Sequence, residues 1–191
     1  MKKNLGAIPA VYPMPVLMVA AYDENGKVNV MNAAWGMVND MKSIALFIDE
    51  DHKTTQNIFA SKAFTVSIAD KDHMKEADYF GIATGNKVPD KFERSGMTAI
   101  KSTFVNAPII DEFPVTLECE LQDVINTDSM YAIVGKIVNV CAEERVLNDK
   151  GKIDVAKLNA LIFDQFTAGY YVTGERVGQA WVEGRELLPK E

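Results

Sequence analysis

The chain has 191 residues, 48% of them apolar and 25% charged. That is ordinary globular composition and excludes disordered, collagen-like and low-complexity classes. The 27 acidic residues against 20 basic ones leave a net charge of −7, which argues against a nucleic-acid binder, whose basic face must neutralise phosphates.

The length suggests one domain over residues 1–191. The longest apolar run, Val16 to Tyr22, is far short of the roughly 20 residues that span a bilayer, so no membrane segment is expected. Met1-Lys2-Lys3 resembles the start of a signal peptide, but Pro9, Pro13 and Pro15 interrupt the stretch where its apolar region should lie. Cys119 and Cys141 sit in no metal-ligand spacing and are too few for a disulfide scaffold; they read as reduced, mostly buried thiols of a cytoplasmic protein.

Taken in chain order, Pro15 to Tyr22 is a continuous apolar segment that stops at Asp23-Glu24-Asn25-Gly26-Lys27. Asn-Gly is a strong signal for a type I′ hairpin turn, which predicts an antiparallel return strand over Val28 to Asn32. Ser43 to Asp49 reads as a strand buried on both faces. Thr54 to Ser61 reads as a short helix capped by Thr54 or Thr55, with Ile58 and Phe59 on its apolar stripe. Phe64, Val66 and Ile68 alternate with Thr65, Ser67 and Ala69, a strand with one buried face. Asp72 to Phe80 predicts a second helix, capped by Asp72 and ending near Gly81, and Gly81 to Gly96 reads as loop.

In the second half, Val115, Leu117, Cys119 and Leu121 alternate with polar residues in the cleanest strand pattern of the chain. Met130 to Ala142 is a second long strand, paired to the first through a turn at Asn126 to Ser129. Val155, Leu158 and Leu161 or Ile162 mark a short helix with Asp154 as its cap. Tyr170 to Ala180 is strand-like, broken at Gly174. The sum is mainly β with three short helices. Hairpin-length connections predict an antiparallel sheet, and closure into a barrel solves the edge problem. Regular βα alternation with a glycine fingerprint is missing, which excludes a doubly wound dinucleotide fold.

Hydrolase and nucleotide-loop motifs (GxSxG, HExxH, Walker A) do not occur. A zinc site would have to gather His52, His73, Cys119 and Cys141 from four separate elements, so no metal is expected. His73, in the first turn of a predicted helix, reads as solvated surface. Asp51-His52-Lys53-Thr54-Thr55-Gln56-Asn57 is more informative. A strand ends, a cation follows, and hydroxyls sit where a helix begins, an arrangement that attracts an anion such as a phosphate ester. Ordinary capping with a solvent-facing lysine explains the same residues. Asn29 to Asn39 leaves strand pattern at small residues, which lets a flat ligand lie against backbone N–H groups. The alternative there is a buried strand end with Trp35 packed in the core.

Several of these segments occur in an order that resembles the flavin reductase-like family, flavoredoxin-type proteins included. The residues are Pro13-Met14-Pro15-Val16, Asn25-Gly26, Asn29, Asn32-Ala33-Ala34-Trp35, Lys53-Thr54-Thr55-Gln56-Asn57-Ile58, Phe64-Thr65-Val66-Ser67-Ile68, and Asp90-Lys91-Phe92 followed by Gly96. They cover most of residues 13–96; the second half is similar only in strand pattern and in Tyr170-Tyr171.

The resemblance implies an antiparallel Greek-key split β-barrel that binds FMN, usually as a homodimer with the cofactor at the subunit interface. It implies that Asn32, Ala33, Ala34 and Trp35 lie along the isoalloxazine. Lys53, Thr54, Thr55 and Asn57 would hold the phosphate with His52 beside them, and Lys91 and Tyr171 would close the site. Alanines stand at 33 and 34 where the family often has serine or threonine, so ring contacts would come mostly from backbone. The implied activity is hydride or electron transfer from NADH or NADPH through flavin N5 to an acceptor. The alternatives are an electron carrier with tightly held FMN and a redox partner protein, or a non-redox ligand-binding barrel. Because flavin carries its own redox chemistry, no acid–base pair or nucleophile is required of the protein.

Overall fold

The structure, a computed structural model, describes residues 1–189. Two residues of strand at Met14–Pro15 (β1) lead into β2 (Leu17–Tyr22), β3 (Val28–Ala33), β4 (Gly36–Asp40) and β5 (Ser43–Leu46). Helix α1 (Lys53–Ser61) precedes β6 (Ala63–Ile68), followed by α2 (Met74–Ile82) and α3 (Lys91–Ser95). A small hairpin, β7 (Ala99–Lys101) and β8 (Pro108–Ile110), leads to the long pair β9 (Val115–Thr127) and β10 (Met130–Ala142). Then come α4 (Val155–Leu158), β11 (Leu161–Asp164) and β12 (Gly169–Val172), and a 3₁₀ turn at Glu183–Leu187 follows.

Seven strands pair in the order β3-β2-β6-β9-β10-β5-β4, every pair antiparallel. The two ends of this ladder, β3 and β4, are consecutive in the chain and joined only by Ala34 and Trp35. A sheet whose first and last strands are two residues apart must curl back on itself. The result is a barrel with its seam at this corner, where Phe47 N–H donates to the Trp35 carbonyl at 2.8 Å. β1, β11 and β12 form a separate three-stranded sheet.

Strand alternation sorts most of the core into two large clusters, with two smaller ones beside them. Leu17, Val19 and Ala21 of β2 join Leu46, Phe64, Val66, Cys119 and Ile133 on one face. Val16, Met18 and Ala20 join Ala77, Phe80, Ile110 and Phe113 on the other, under α2 and β8. Both faces of β2 are therefore apolar, which is why its sequence runs unbroken rather than alternating. Each fully buried large side chain contributes roughly 1.5–3 kcal/mol.

Several expectations need correction. The turn after β2 is not type I′. Of Asn25 and Gly26, only Gly26 has positive φ, and Asp23 N–H bonds the Lys27 carbonyl while the Asp23 side chain accepts from the N–H groups of Asn25 and Lys27. That is a three-residue loop closed by an aspartate. Neither Thr54 nor Thr55 caps α1, which begins one residue earlier with His52 at its boundary and no side-chain cap. The cap ahead of α2 is Asp70, not Asp72. Asp70 accepts from His73 N–H and from His73 Nδ1 at 2.7 Å and pairs with Arg145, so His73 is a bonded residue packed on Phe113 rather than solvated surface.

The loop-rich stretch 81–96 carries α3. Leu161 and Ile162 belong to strand β11, and the strand at Tyr170 ends at Val172 instead of continuing towards Ala180. β4 was hidden in the sequence because it is an exposed edge strand with no buried face to impose alternation. Both cysteines are free, Cys119 buried and Cys141 half-buried, and no helix is long and apolar enough to cross a membrane among the described residues.

Candidate functional site

The loop from β5 to α1 is folded by its own backbone acceptors. Thr55 Oγ1 donates to the Asp49 carbonyl at 2.7 Å, and Asn86 Nδ2 donates to the Asp51 carbonyl at 2.9 Å. These contacts aim the opening turn of α1 at the start of β3. There Asn29 Nδ2 donates to Thr54 Oγ1 at 2.5 Å. The Thr54 hydroxyl accepts this bond and keeps its own proton to donate.

Between these elements lies a cleft of about 90 Å³. One wall is Met31 and Asn32 of β3, and another is His52, Lys53 and Thr54. The floor is Phe80, Gly81 and the turn Ala83-Thr84-Gly85, with Lys91 reaching in from α3. Gly85 is required by space, because a Cβ there would run into Asn29 Oδ1 and sit 3.1 Å from Lys53 Cβ. Asn32 packs on α2, where its Nδ2 donates to the Ala77 carbonyl at 2.9 Å.

The electrostatics favour an anion at one end of the cleft. Lys53 makes no ion pair among the described residues, and the helix start has no side-chain cap to occupy its N–H groups. Nδ1 of His52 and Nδ2 of Asn57 are buried without a hydrogen-bond partner among the described residues, an arrangement that costs about 1–3 kcal/mol for each group. Asp49 and Asp51 stand beside His52 with ligand atoms within 4.8 Å of one another, and their charge opposes an anion on that side. Lys91 is only 3% exposed. Its Nζ donates to the Ala83 carbonyl at 2.9 Å and lies 5.9 Å from the Phe80 ring centroid. Burial without a carboxylate partner lowers its pKa to about 8.

The predicted site residues divide. Asn32, His52, Lys53, Thr54 and Lys91 meet in this one cleft. Thr55 and Asn57 are buried and do not line it; the Thr55 hydroxyl is spent on the loop. Ala33 packs into the barrel core. Ala34 and Trp35 line a separate apolar groove of about 310 Å³ at the barrel seam, and Trp35 is 54% exposed rather than buried. Tyr171 is exposed on β12 and lines neither cavity, whereas its neighbour Tyr170 bonds Asp78 at 3.0 Å. Sequence reasoning missed Met31, Phe80 and the 83–85 turn as cleft residues. It quoted Asn29 without a role. Gly85 could have been flagged as a glycine near a proposed anion site, but nothing local says what it packs against.

Comparison with known proteins accords with this geometry. The model of the flavin reductase like domain family matches residues 10–164. The solved flavoredoxin of Desulfovibrio vulgaris (Miyazaki F) is similar at 34% identity and a TM-score of 0.92, covering 97% of this chain and all of that one. The flavoredoxin from Methanosarcina acetivorans is similar at 26% identity and a TM-score of 0.87, covering 98% of this chain and all of that one. An uncharacterized protein of Aquifex aeolicus is 26% identical over 172 residues, 85% of each chain.

Proposed function

The chain belongs to the flavin reductase-like family, and from that premise we propose that it is an FMN-dependent oxidoreductase working as a homodimer in the cytoplasm. The observation that carries this reading is the convergence of His52, Lys53 and Thr54, of Asn32, and of Lys91 on one cleft from separate elements. The residues fit the cofactor in kind. An uncapped helix start, a free lysine and a hydroxyl with a proton to spare suit a phosphate ester. The buried, unpartnered His52 nitrogen is a polar atom that such a ligand would satisfy.

Lys53 and the first-turn N–H groups would bind and neutralise the phosphate, with Thr54 Oγ1 donating. Among the described residues β3 pairs only with β2, so the backbone groups on its other side would be available to orient a planar heterocycle without side-chain donors. That matches the two alanines at 33 and 34, with Ala34 and Trp35 carrying the ring on towards the seam. Lys91 would hold a proton at Nζ inside the cleft and present positive charge to it. Bound FMN supplies the hydride and electron chemistry itself. The protein's task is to seat, orient and exclude water.

NADH or NADPH is the electron donor in this reading. The test is oxidation of each nicotinamide with and without added FMN, together with heat release and identification of the chromophore. Nicotinamide oxidation that depends on flavin supports the reading. A colourless protein that gains no thermal stability from FMN overturns it in favour of a non-redox barrel. The similarity to a flavoredoxin at 34% identity favours a second reading, an electron carrier that serves a partner protein. A fixed yellow cofactor without nicotinamide oxidation would select that one.

A further inference from the structure

Asn32 lines the cleft, yet its amide is held by groups that do not. Its Nδ2 donates to the Ala77 carbonyl of α2 at 2.9 Å. A carbonyl oxygen can only accept, so this contact decides which end of the amide points at α2. The next residue of α2, Asp78, accepts a hydrogen bond from the Tyr170 hydroxyl of β12 at 3.0 Å. Tyr170 packs on Phe163 and against the buried cluster that contains Ala77. Two consecutive residues of α2 therefore hold one side chain from β3 and one from the small sheet.

The two side chains also meet each other. Burial first, and then the bond to Asp78, push the Tyr170 phenol up to about 12, while the Asn32 amide acts the other way, as a donor to the phenolic oxygen does. The phenol keeps its single proton and commits it to Asp78, so what it shows Asn32 is a lone pair. Both protons of the Asn32 amide are then used, one on Ala77 and one on Tyr170. Oδ1 is what remains. Among the described residues nothing donates to it, and it is not sealed off from solvent. An open acceptor on a residue that lines the cleft is an acceptor offered to the occupant of the cleft.

We propose that Tyr170, with its proton held by Asp78, is a positioning residue that fixes the Asn32 amide with Oδ1 towards the cleft, and that this selects a ligand carrying an N–H or O–H donor at that point. A site residue locked by supporting hydrogen bonds recognises its ligand without first having to be ordered. The identity of the ligand rests on the flavin reading, and a flavin has the donors required, a ring N–H and the hydroxyls of its side chain. A dianionic phosphate has none. Oδ1 therefore serves the part of the ligand away from Lys53, and the cleft reads two different chemistries, an anion at one side and a hydrogen-bond donor at the other.

The test compares full-length wild type with Tyr170→Phe, which keeps the ring and deletes the acceptor, and with Asp78→Ala, which keeps the phenol and frees its proton to turn on Asn32. In isotope-labelled, flavin-free protein the Asn32 amide signals are identified by their loss in Asn32→Asp. In both variants they are expected to exchange with solvent about five- to tenfold faster than in wild type, with the backbone signals of α2 unchanged. Binding is read by fluorescence titration with FMN and with riboflavin, which lacks the phosphate. Both variants are expected to weaken the two flavins by the same factor, about five- to tenfold, whereas Lys53→Ala weakens FMN alone. Asp78→Asn still accepts the phenol's proton and is expected to recover most of the lost affinity. Unchanged exchange of the Asn32 amide in Tyr170→Phe overturns the proposal. So does flavin affinity that survives in both variants, or a loss for FMN that riboflavin does not share. If wild type binds neither flavin, the proposed function fails, and the amide exchange still decides whether Tyr170 orients Asn32.

Discussion

Asn29 of β3 and Thr54 of α1 are joined side chain to side chain at 2.5 Å, across 25 residues of sequence and inside the protein. This bond fixes the distance between the edge strand and the helix start, the two sides of the cleft. Asn29→Ala removes it and leaves a buried hydroxyl without its donor. A loss of about 1–2 kcal/mol in urea denaturation is expected, with FMN affinity falling roughly tenfold by fluorescence titration.

Gly85 meets the same pair from the other side. Gly85→Ala would push a methyl group into Asn29 Oδ1 and against Lys53 Cβ. Overpacking of this kind costs about 1–3 kcal/mol. The stronger expectation is a loss of FMN binding that exceeds the loss of stability, because Lys53 and Asn29 must both move. Equal FMN affinity in the variant, by the same titration, would count against the phosphate end of the cleft.

Lys91 makes the fold sensitive to pH. Its folded pKa of about 8 lies below the ordinary 10.5 because burial disfavours the ammonium. Between those values the unfolded chain holds a proton that the folded chain has released. Stability therefore rises with pH across this window, and the penalty of the buried charge is fully present below about 8. Lys91→Met should flatten that rise in denaturation curves measured from neutral to alkaline pH.

Glu118 is buried between two donors, Ser102 Oγ and Asn139 Nδ2, the latter at 2.5 Å. Ser102 Oγ in turn accepts from the N–H groups of Phe104 and Val105, so the carboxylate anchors the β7–β8 turn to the barrel. Glu118→Ala strands these donors and should cost about 1–3 kcal/mol, with faster hydrogen exchange in 102–107. Glu118→Gln, which keeps an acceptor, should cost less.

Burial, with help from the neighbouring Glu118 charge, pushes the Cys119 thiol up to about 12. The native protein should therefore titrate at most one thiol, the half-buried Cys141, with a disulfide reagent, and two once unfolded.

Much of the barrel was legible in the chain because strand periodicity is local. Val115 to Leu121 alternates although both faces of β9 are covered as far as Cys119, because the buried Thr116 and Glu118 are matched by hydrogen bonds to Ser67, Ser102 and Asn139, and Val16 to Tyr22 runs unbroken since both faces of β2 meet apolar core. The helix over 54–61 was legible as well, but its start at Lys53 was not, because the threonines that suggested a cap do not serve as one. The edge strand β4 was not, for an exposed strand need not alternate.

By itself the sequence determined the fold class, the strand pairs joined by short turns, and the segments that carry Asn32, Lys53 and Lys91. Tertiary structure alone decided which of these meet. It spent Thr55 on Asp49, buried Ala33, left Trp35 in the open and brought Gly85 against Asn29. Those outcomes depend on which strands close the barrel and which face each residue then presents, and such long-range contacts leave no periodic trace in the chain.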